Sequence, residues 1–175
     1  MKAIIVLTFC SITFLFTSSI ATKPCLCEKS EENLYSFRLE KSQKIMSVCI
    51  GKDNSYMQYR FGLPGKIELA YPDKKDENSW DKFTYEGYTR GGGPANAGMN
   101  TQTLSFENKG TSYSVYYING YADDRDESFF ESAGITVQAN AKFVNLEAEL
   151  SSRSGSLEML NWDGKELKIK NRMWE

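Results

Sequence analysis

Along most of the chain, apolar and polar residues alternate one by one, which is the period of a β-strand. In "ENLYSFRLE", residues 32–40, Tyr35, Phe37 and Leu39 fall on one face and serine and charged residues fall on the other. The runs "KIMSVCIG" and "SYMQYRFG" follow, and the turn residues "KDN" join them. No long stretch has the 3.6-residue period of a helix. The pattern therefore predicts short strands joined by turns.

The later part of the chain repeats this pattern. "TQTLSFENKGTSYSVYYING" predicts a hairpin across "ENKGT", "GITVQANAKFVNLEAE" predicts one with its turn at residues 139–140, and the Asp-Gly pair at residues 163–164 predicts another. The stretch "DDRDESFFESA", residues 123–133, has two interpretations. It is a short helix with Phe129 and Phe130 facing inward, or it is an acidic loop.

These elements predict an all-β fold. Short strands at spacings of about ten residues are typical of a single antiparallel β-barrel or β-sandwich, here of about eight to ten strands with at most one short helix. The chain contains no internal repeat and no linker composition. Residues 22–175 are therefore expected to form one domain.

The N-terminus has the features of a signal peptide. Lys2 precedes the apolar run "AIIVLTFCSITFLF", and the small residues of "TSSIA" follow, with a predicted cut after Ala21. A membrane anchor is the alternative, but the run is shorter than the ~20 residues that span a bilayer. No other stretch is apolar enough to cross a membrane. Residues 1–21 are thus expected to be removed, which places the mature protein in the periplasm or outside the cell.

Charge and composition argue against two classes of partner. The formal net charge of the full chain is −2, and loss of Lys2 makes it one unit more negative. Nucleic acids and anionic membrane surfaces both favour basic proteins, so neither is expected to bind. Ten Tyr, ten Phe and three Trp supply many aromatic side chains, which favour strands and contact surfaces.

Cysteine usage suggests one disulfide in the exported protein. Cys10 leaves with the signal peptide, and Cys25, Cys27 and Cys49 remain. Cys25 and Cys27 are too close in sequence to pair well, so one of them bridges to Cys49. We favour Cys27–Cys49, which closes a loop of about two dozen residues and contributes roughly 3 kcal/mol. A zinc site is the alternative, but three cysteines in a chain without histidine are a poor ligand set. No metal and no cofactor are expected.

The chemistry available for catalysis is narrow. The chain has no histidine, which excludes Ser-His-Asp and Cys-His arrangements. Paired carboxylates remain, with Glu86, Glu107, Asp123 and Asp126 as candidates, but nothing marks any two as neighbours. The acidic run "DDRDE" lacks the spacing of a calcium loop. We therefore expect no catalytic residue and a protein that is not an enzyme.

The glycine-rich stretch "YTRGGGPANAGMN", residues 88–100, is the strongest candidate for a functional segment. It lacks the Lys-Ser/Thr of a phosphate-binding loop. It is either a bulge or sharp turn of the sheet or a projecting loop that contacts a partner. The second loop "SSRSGSLEM", residues 151–159, is either a connector or a neighbouring part of that contact. The predicted partner-binding residues are Tyr88, Arg90, Gly91, Gly92, Gly93, Asn96, Arg153 and Ser154.

The runs "YRFGLPGKIELAYP" and "RGGGPANAGMNTQTLSFENKGTSYSVYYING" resemble a group of small exported bacterial proteins of unassigned activity. In that group, a Y-x-F-G-x-P-G-K-x-E-L run precedes a glycine-rich loop and an aromatic hairpin. The matching residues here are Tyr59, Phe61, Gly62, Pro64, Gly65, Lys66, Glu68 and Leu69. The architecture is also similar to that of periplasmic lysozyme inhibitors, some of which carry an S-G-x-x-Y loop. This chain has "SGSLE", with Glu158 in place of the tyrosine.

The sequence thus predicts an exported binding protein, an inhibitor or an immunity protein. The glycine-rich loop is expected to occlude the active site of a lysozyme or a secreted toxin. The alternative is a small-ligand or ion-binding β-barrel in which Tyr113, Tyr116 and Tyr117 line a pocket. A carboxylate-dependent hydrolase is a third hypothesis.

Overall fold

The protein is a β-sandwich, as seen in a computed structural model that describes residues 23–92, 97–122 and 128–161. Two antiparallel five-stranded sheets confirm the predicted all-β class and select the sandwich over the closed barrel. The strands are β1 Glu32–Arg38, β2 Ile45–Ile50, β3 Met57–Leu63, β4 Lys66–Tyr71, β5 Thr84–Arg90, β6 Met99–Asn108, β7 Thr111–Tyr121, β8 Phe129–Ala139, β9 Lys142–Glu147 and β10 Ser154–Gly155. The first sheet has the order β10-β1-β2-β3-β4, and the second contains β5 to β9 in chain order. The predicted signal peptide and the Asp-Gly turn at residues 163–164 lie outside the described residues.

The β8–β9 hairpin corrects one predicted turn by a residue. Ala139 pairs with Lys142, so the turn residues are Asn140 and Ala141. Both have positive φ, of 48° and 62°. A two-residue turn of this kind matches the twist of the flanking strands. Alanine is an uncommon residue in that conformation, which is why the sequence pattern did not indicate it.

The helical interpretation of residues 123–133 is wrong for the part that the structure describes. β8 begins at Phe129, and both Phe129 and Phe130 are exposed instead of facing inward. They pair with Tyr121 and Gly120 of β7. Residues 123–127 lie outside the described ranges. The helices that the structure describes are short 3₁₀ turns, at Lys52–Asn54, Glu77–Lys82, Leu150–Ser152 and Leu157–Asn161. Within this part of the chain, no helix has the length and apolar character needed to cross a bilayer.

The core lies between the inner faces of the two sheets. Aromatic rings from both sheets meet at one end of it: Phe106 stacks on Tyr71 with centroids 4.6 Å apart and on Tyr113 with centroids 4.9 Å apart. Tyr59 of the first sheet contacts the same phenylalanine at 4.8 Å. These contacts join β3 and β4 to β6 and β7. One hydrophobic cluster therefore holds the sheets together.

Residues 23–31 cover the outer face of the first sheet. Every residue of β2 is buried, although alternation places half of its side chains away from the core. Ser47 is one of these outer residues, and its Oγ accepts a hydrogen bond of 2.9 Å from the Leu26 amide. Ser36 of β1 donates to the Pro24 carbonyl over 2.8 Å. The polar outer face of this sheet is thus satisfied by an extended segment of the same chain.

Candidate functional site

The outer face of the second sheet is not covered by any described segment, and its central strands are almost free of charge. Inner residues such as Leu104, Val115 and Ile135 are buried in the core, so their strand neighbours point outward. The outward residues of β6, β7 and β8 are Met99, Thr101, Thr103, Ser105, Glu107, Ser112, Ser114, Tyr116, Ile118, Gly120, Phe130, Ser132, Gly134, Thr136 and Gln138. Glu107 alone among them is charged. A solvated strand face in a chain with 25% charged residues would ordinarily carry more lysine and glutamate.

A shallow trough of about 560 Å³ lies in this face. Small residues of the central strands line its middle, and Phe143 and Glu147 of the edge strand β9 stand at one side. The Tyr116 hydroxyl donates to Glu147 Oε2 over 3.2 Å and accepts a hydrogen bond of 3.2 Å from Asn145 Nδ2. The trough therefore presents hydroxyl, amide and carboxylate groups beside two aromatic rings.

Tyr88 and Arg90 lie on the same outer face, at the end that carries the glycine-rich loop. Arg90 of β5 pairs with Met99 of β6, and Met99 pairs with Gly120 of β7. Gly120 in turn pairs with Phe130 of β8. Alternation gives a loop-end patch of five residues on one surface: Tyr88, Arg90, Met99, Ile118 and Phe130. Tyr88 is 44% exposed and Phe130 is 38% exposed. The patch thus combines apolar and aromatic surface with one guanidinium group.

The glycine-rich loop is the hairpin connection between β5 and β6. Arg90 Nε donates to the Ala97 carbonyl over 2.9 Å, which ties the two sides of the loop together. The Tyr121 amide donates to the Gly98 carbonyl over 3.0 Å. A Cβ atom at Gly120 would lie 2.6 Å from that same carbonyl oxygen, so only glycine allows the loop base to pack against β7.

The other predicted loop residues fall into two groups. Gly91 and Gly92 are exposed, and the register of β5 and β6 shows no bulge before them. This favours a hairpin connection over a bulge of the sheet. Gly93 and Asn96 lie outside the described residues.

Arg153 and Ser154 are engaged within the sandwich. Arg153 Cζ lies 4.1 Å from the centroid of the Tyr117 ring, and its guanidinium forms an ion pair with Glu131. Ser154 belongs to β10 and pairs with Ser36. A role for these two residues in partner binding stays a prediction, and their described contacts support a structural role.

Other residues of the second loop approach the start of β6. Glu158, which stands where the lysozyme-inhibitor loop has tyrosine, accepts a hydrogen bond of 3.2 Å from Asn100 Nδ2. Asn100 is the last residue of the glycine-rich stretch and lies two residues after Gly98. The buried Tyr35 hydroxyl lies beside Arg153. Burial raises the pKa of this hydroxyl to about 12, although the positive charge of the Arg153 guanidinium opposes the shift.

Sequence reasoning missed Phe130 and Ile118. Phe130 was missed because residues 123–133 were interpreted as a helix or a loop and not as part of a strand. Ile118 was missed because the hairpin pattern around it does not show which face of the sheet is exposed to solvent. Of the three predicted pocket tyrosines, Tyr116 alone lines the trough. Tyr113 and Tyr117 point to the inner face, where they pack on Phe106 and under Arg153.

The candidate catalytic carboxylates are not brought together. Glu86 pairs with Thr103, four residues from Glu107, which separates the backbone positions of the two residues by roughly 13 Å along the strand. Paired-carboxylate hydrolases use separations of about 5–10 Å. Asp123 and Asp126 lie outside the described ranges. That the protein is not an enzyme stays a prediction.

A buried ion network lies beneath the covering segment. The Glu31 side chain is 0% exposed and that of Arg60 is 5% exposed, and they form an ion pair of 2.6 Å. Lys75 Nζ lies 3.2 Å from the same carboxylate. Burial alone would raise the pKa of Glu31, but hydrogen bonds from Arg60, Tyr56 and the Glu28 amide lower it to about 2. This carboxylate is therefore held charged and is a poor proton donor.

The structure joins Cys27 to Cys49 in a disulfide, in agreement with the favoured pairing, and leaves Cys25 as an exposed free thiol. Within the described ranges, these three cysteines are the one group of side chains spaced closely enough to bind a metal ion. Two of the three sulfurs are engaged in the disulfide, so they are not free as thiolate ligands.

No protein-family model, curated protein or solved structure matches the chain. The resemblance to small exported bacterial proteins and to lysozyme inhibitors therefore stays a prediction, and the function has to be argued from the site itself.

Proposed function

We propose that the protein is an exported binding protein that blocks a partner enzyme through the loop-end patch and the glycine-rich loop. The expected partner is a lysozyme-like enzyme or a secreted toxin. The observation that carries the proposal is the grouping of Tyr88, Arg90, Ile118 and Phe130 on one uncovered face, beside a hairpin loop. Exposed aromatic patches with an arginine are typical of protein interfaces.

The second sheet supplies a rigid base for this surface. Tyr88 and Arg90 lie on β5, which is paired with β6 along its whole length. The carbonyl groups of Ala97 and Gly98 accept hydrogen bonds that fix the base of the loop. A preorganised surface loses little conformational entropy on binding. Arg90 uses Nε within the loop. Its terminal nitrogens have no partner among the residues that the structure describes, so they can pair with a carboxylate of the partner. Such charge-assisted bonds are the stronger hydrogen bonds in interfaces.

Binding and inhibition test the proposal directly. The mature protein is immobilised, and a c-type lysozyme and a set of secreted toxins are passed over it, with peptidoglycan hydrolysis measured in parallel. We expect at least one enzyme to bind and lose activity. Tyr88→Ala, Arg90→Ala and Phe130→Ala should each weaken that binding at least tenfold.

Ile67→Ala is the matched control, because Ile67 has a similar exposure of 43% but lies on β4 of the first sheet. It should leave the affinity unchanged. If the patch variants behave like this control, the patch has no part in binding. If no enzyme binds, the inhibitor function is wrong.

The trough favours a second candidate function, the binding of a neutral carbohydrate. Its lining offers hydroxyl and amide groups with almost no charge, and the exposed Phe143 ring stands beside it. Sugar chains bind through many neutral hydrogen bonds and through stacking on aromatic rings. The trough is also open enough to admit a chain, since it lies on a sheet face and is not an enclosed cavity.

This candidate predicts shifts of backbone NMR signals in β7, β8 and β9 when a chitin oligosaccharide or a cellulose oligosaccharide is added. Phe143→Ala and Asn145→Ala should reduce the affinity at least fivefold, whereas Tyr88→Ala should not. Shifts confined to the loop-end patch, or no shifts at millimolar sugar, would count against it.

A further inference from the structure

The free thiol of Cys25 lies against the disulfide of the same protein. The sulfur atoms of Cys25, Cys27 and Cys49 are all within 4.8 Å of one another. The Cys27 amide donates to Cys25 Sγ over 3.1 Å, which holds that sulfur close to the backbone of a disulfide cysteine. Cys25 is exposed, and a surface depression of about 340 Å³ is lined by Cys25 and Cys27. An accessible thiol therefore lies within a short movement of both disulfide sulfurs.

One guanidinium group and one amide N–H lie next to these sulfurs. Arg60 Nη1 lies 3.9 Å from Cys49 Sγ, and the guanidinium is buried. Two carboxylates, those of Glu28 and Glu31, pair with this arginine and hold it in place. Thiol–disulfide exchange passes through a state in which charge spreads over three sulfurs, so a fixed cation and an amide N–H both favour it.

We propose that Cys25, Cys27 and Cys49 form a thiol–disulfide exchange site in which Cys49 is shared between two partners. The Cys25 thiolate attacks Cys49 Sγ, so that the Cys25–Cys49 bond forms and the Cys27–Cys49 bond breaks. The bonding electron pair leaves with Cys27 Sγ, which takes a proton from water in place of the proton that the Cys25 thiol gave up to water before the attack. No external oxidant or reductant is needed, because one disulfide and one thiol are present before and after the step.

The consequence is a folded protein in which the free thiol is at Cys25 in some molecules and at Cys27 in others. Residues 23–31 cover the first sheet and contain both cysteines. The exchange therefore changes where this segment is attached to β2 without releasing it. The disulfide on which this site acts is the Cys27–Cys49 bond of its own chain.

Rapid alkylation of the native wild-type protein tests the proposal. The protein is treated with a fast thiol reagent and quenched in acid, and fragmentation of the peptide containing "CLCEK" shows which cysteine is labelled. We expect at least a tenth of the label on Cys27. Label on Cys25 alone would overturn the proposal. Cys25→Ser is the control, because the Cys27–Cys49 bond then has no thiol to exchange with and no label should appear.

Cys27→Ser supplies a second measurement. The folded variant should contain a Cys25–Cys49 disulfide and no free thiol, and its thermal midpoint should lie within a few degrees of that of Cys25→Ser. Two free thiols in the folded variant, or a midpoint lower by more than ~10 °C, would show that the alternative bond does not fit the native structure and would also overturn the proposal.

Discussion

The outer face of the first sheet is covered by residues 23–31, whereas no segment that the structure describes covers the outer face of the second sheet. Both faces are rich in small polar residues. In the first sheet Ser36, Ser47 and Gln58 are buried, and Arg60 is buried with them. In the second sheet Thr103, Ser114 and Thr136 occupy comparable outward positions and line a trough instead.

The difference between the two faces shows that a polar sheet face is buried when a segment of the chain covers it and satisfies its hydrogen-bonding groups. The first sheet acquires a covering segment through a disulfide, backbone hydrogen bonds and the Arg60–Glu31 ion pair. Each buried polar group there has a partner in the same chain. The second sheet has no such segment among the described residues, so its hydroxyl groups and its loop-end patch remain accessible to other molecules. This is the physical reason for placing the proposed binding site on the second sheet.

Breaking the buried ion pair should have the largest effect on stability. Glu31→Gln leaves the Arg60 guanidinium buried without its main counter-charge, and the free energy of unfolding should fall by about 3–5 kcal/mol. Urea denaturation measures this loss. Glu149→Gln is the matched control, because the Arg38–Glu149 pair is about 40% exposed and should contribute at most ~1 kcal/mol. Equal losses for the two variants would mean that residues 23–31 do not bury the network.

The same network predicts a pH dependence. The pKa of Glu31 is about 2 in the folded protein and 4.5 for a glutamate without these contacts, as in the unfolded chain. The unfolded chain therefore takes up the proton first as the pH falls. The stabilisation is therefore present above pH 4.5 and is lost as the pH falls toward 2. Unfolding followed between pH 6 and pH 2 measures it. Glu31→Gln should flatten this part of the curve, and an unchanged slope would assign the dependence to other carboxylates.

At the open face, the base of the glycine-rich loop should be sensitive to one methyl group. Gly120→Ala would place a Cβ atom 2.6 Å from the Gly98 carbonyl oxygen, and the resulting displacement should cost about 1–3 kcal/mol. Gly91→Ala is the control, since no atom lies within 4 Å of its added Cβ, and it should change stability by less than ~0.5 kcal/mol. Thermal unfolding of both variants gives the comparison. A neutral Gly120→Ala would mean that the loop base is not packed on β7.

The smallest effect on stability is expected at the loop-end patch itself. Tyr88→Ala and Phe130→Ala remove exposed side chains, so the free energy of unfolding should change by less than ~0.5 kcal/mol for Tyr88 and only slightly more for Phe130. The loss of partner affinity should be larger, at least tenfold or about 1.4 kcal/mol. Large destabilisation without loss of binding would assign these residues to the fold instead of an interface.

The sequence pattern predicted the fold class because alternation and turn residues are local signals. Tyr35, Phe37 and Leu39 are buried on one face of β1, as their spacing indicated, although Leu39 lies just beyond the end of the strand. The pattern failed where a strand begins beside an acidic run: Phe129 and Phe130 precede "ESAGITVQA", and only their pairing with β7 shows that β8 includes them. Tyr88 and Arg90 were predicted as site residues from the glycine-rich run, but Ile118 and Phe130 join them through strand register, which is not visible locally.

Alternation, turn residues and cysteine spacing by themselves determined that this chain forms short antiparallel strands with a disulfide near its N-terminus. Only the tertiary structure decided which outer face is covered, because Glu31 and Arg60 are 29 residues apart and Leu26 and Ser47 are 21 residues apart. Contacts at such separations depend on how strands pair and stack, and no short window of the sequence specifies them. The open face, the loop-end patch and the three neighbouring sulfurs all follow from that packing.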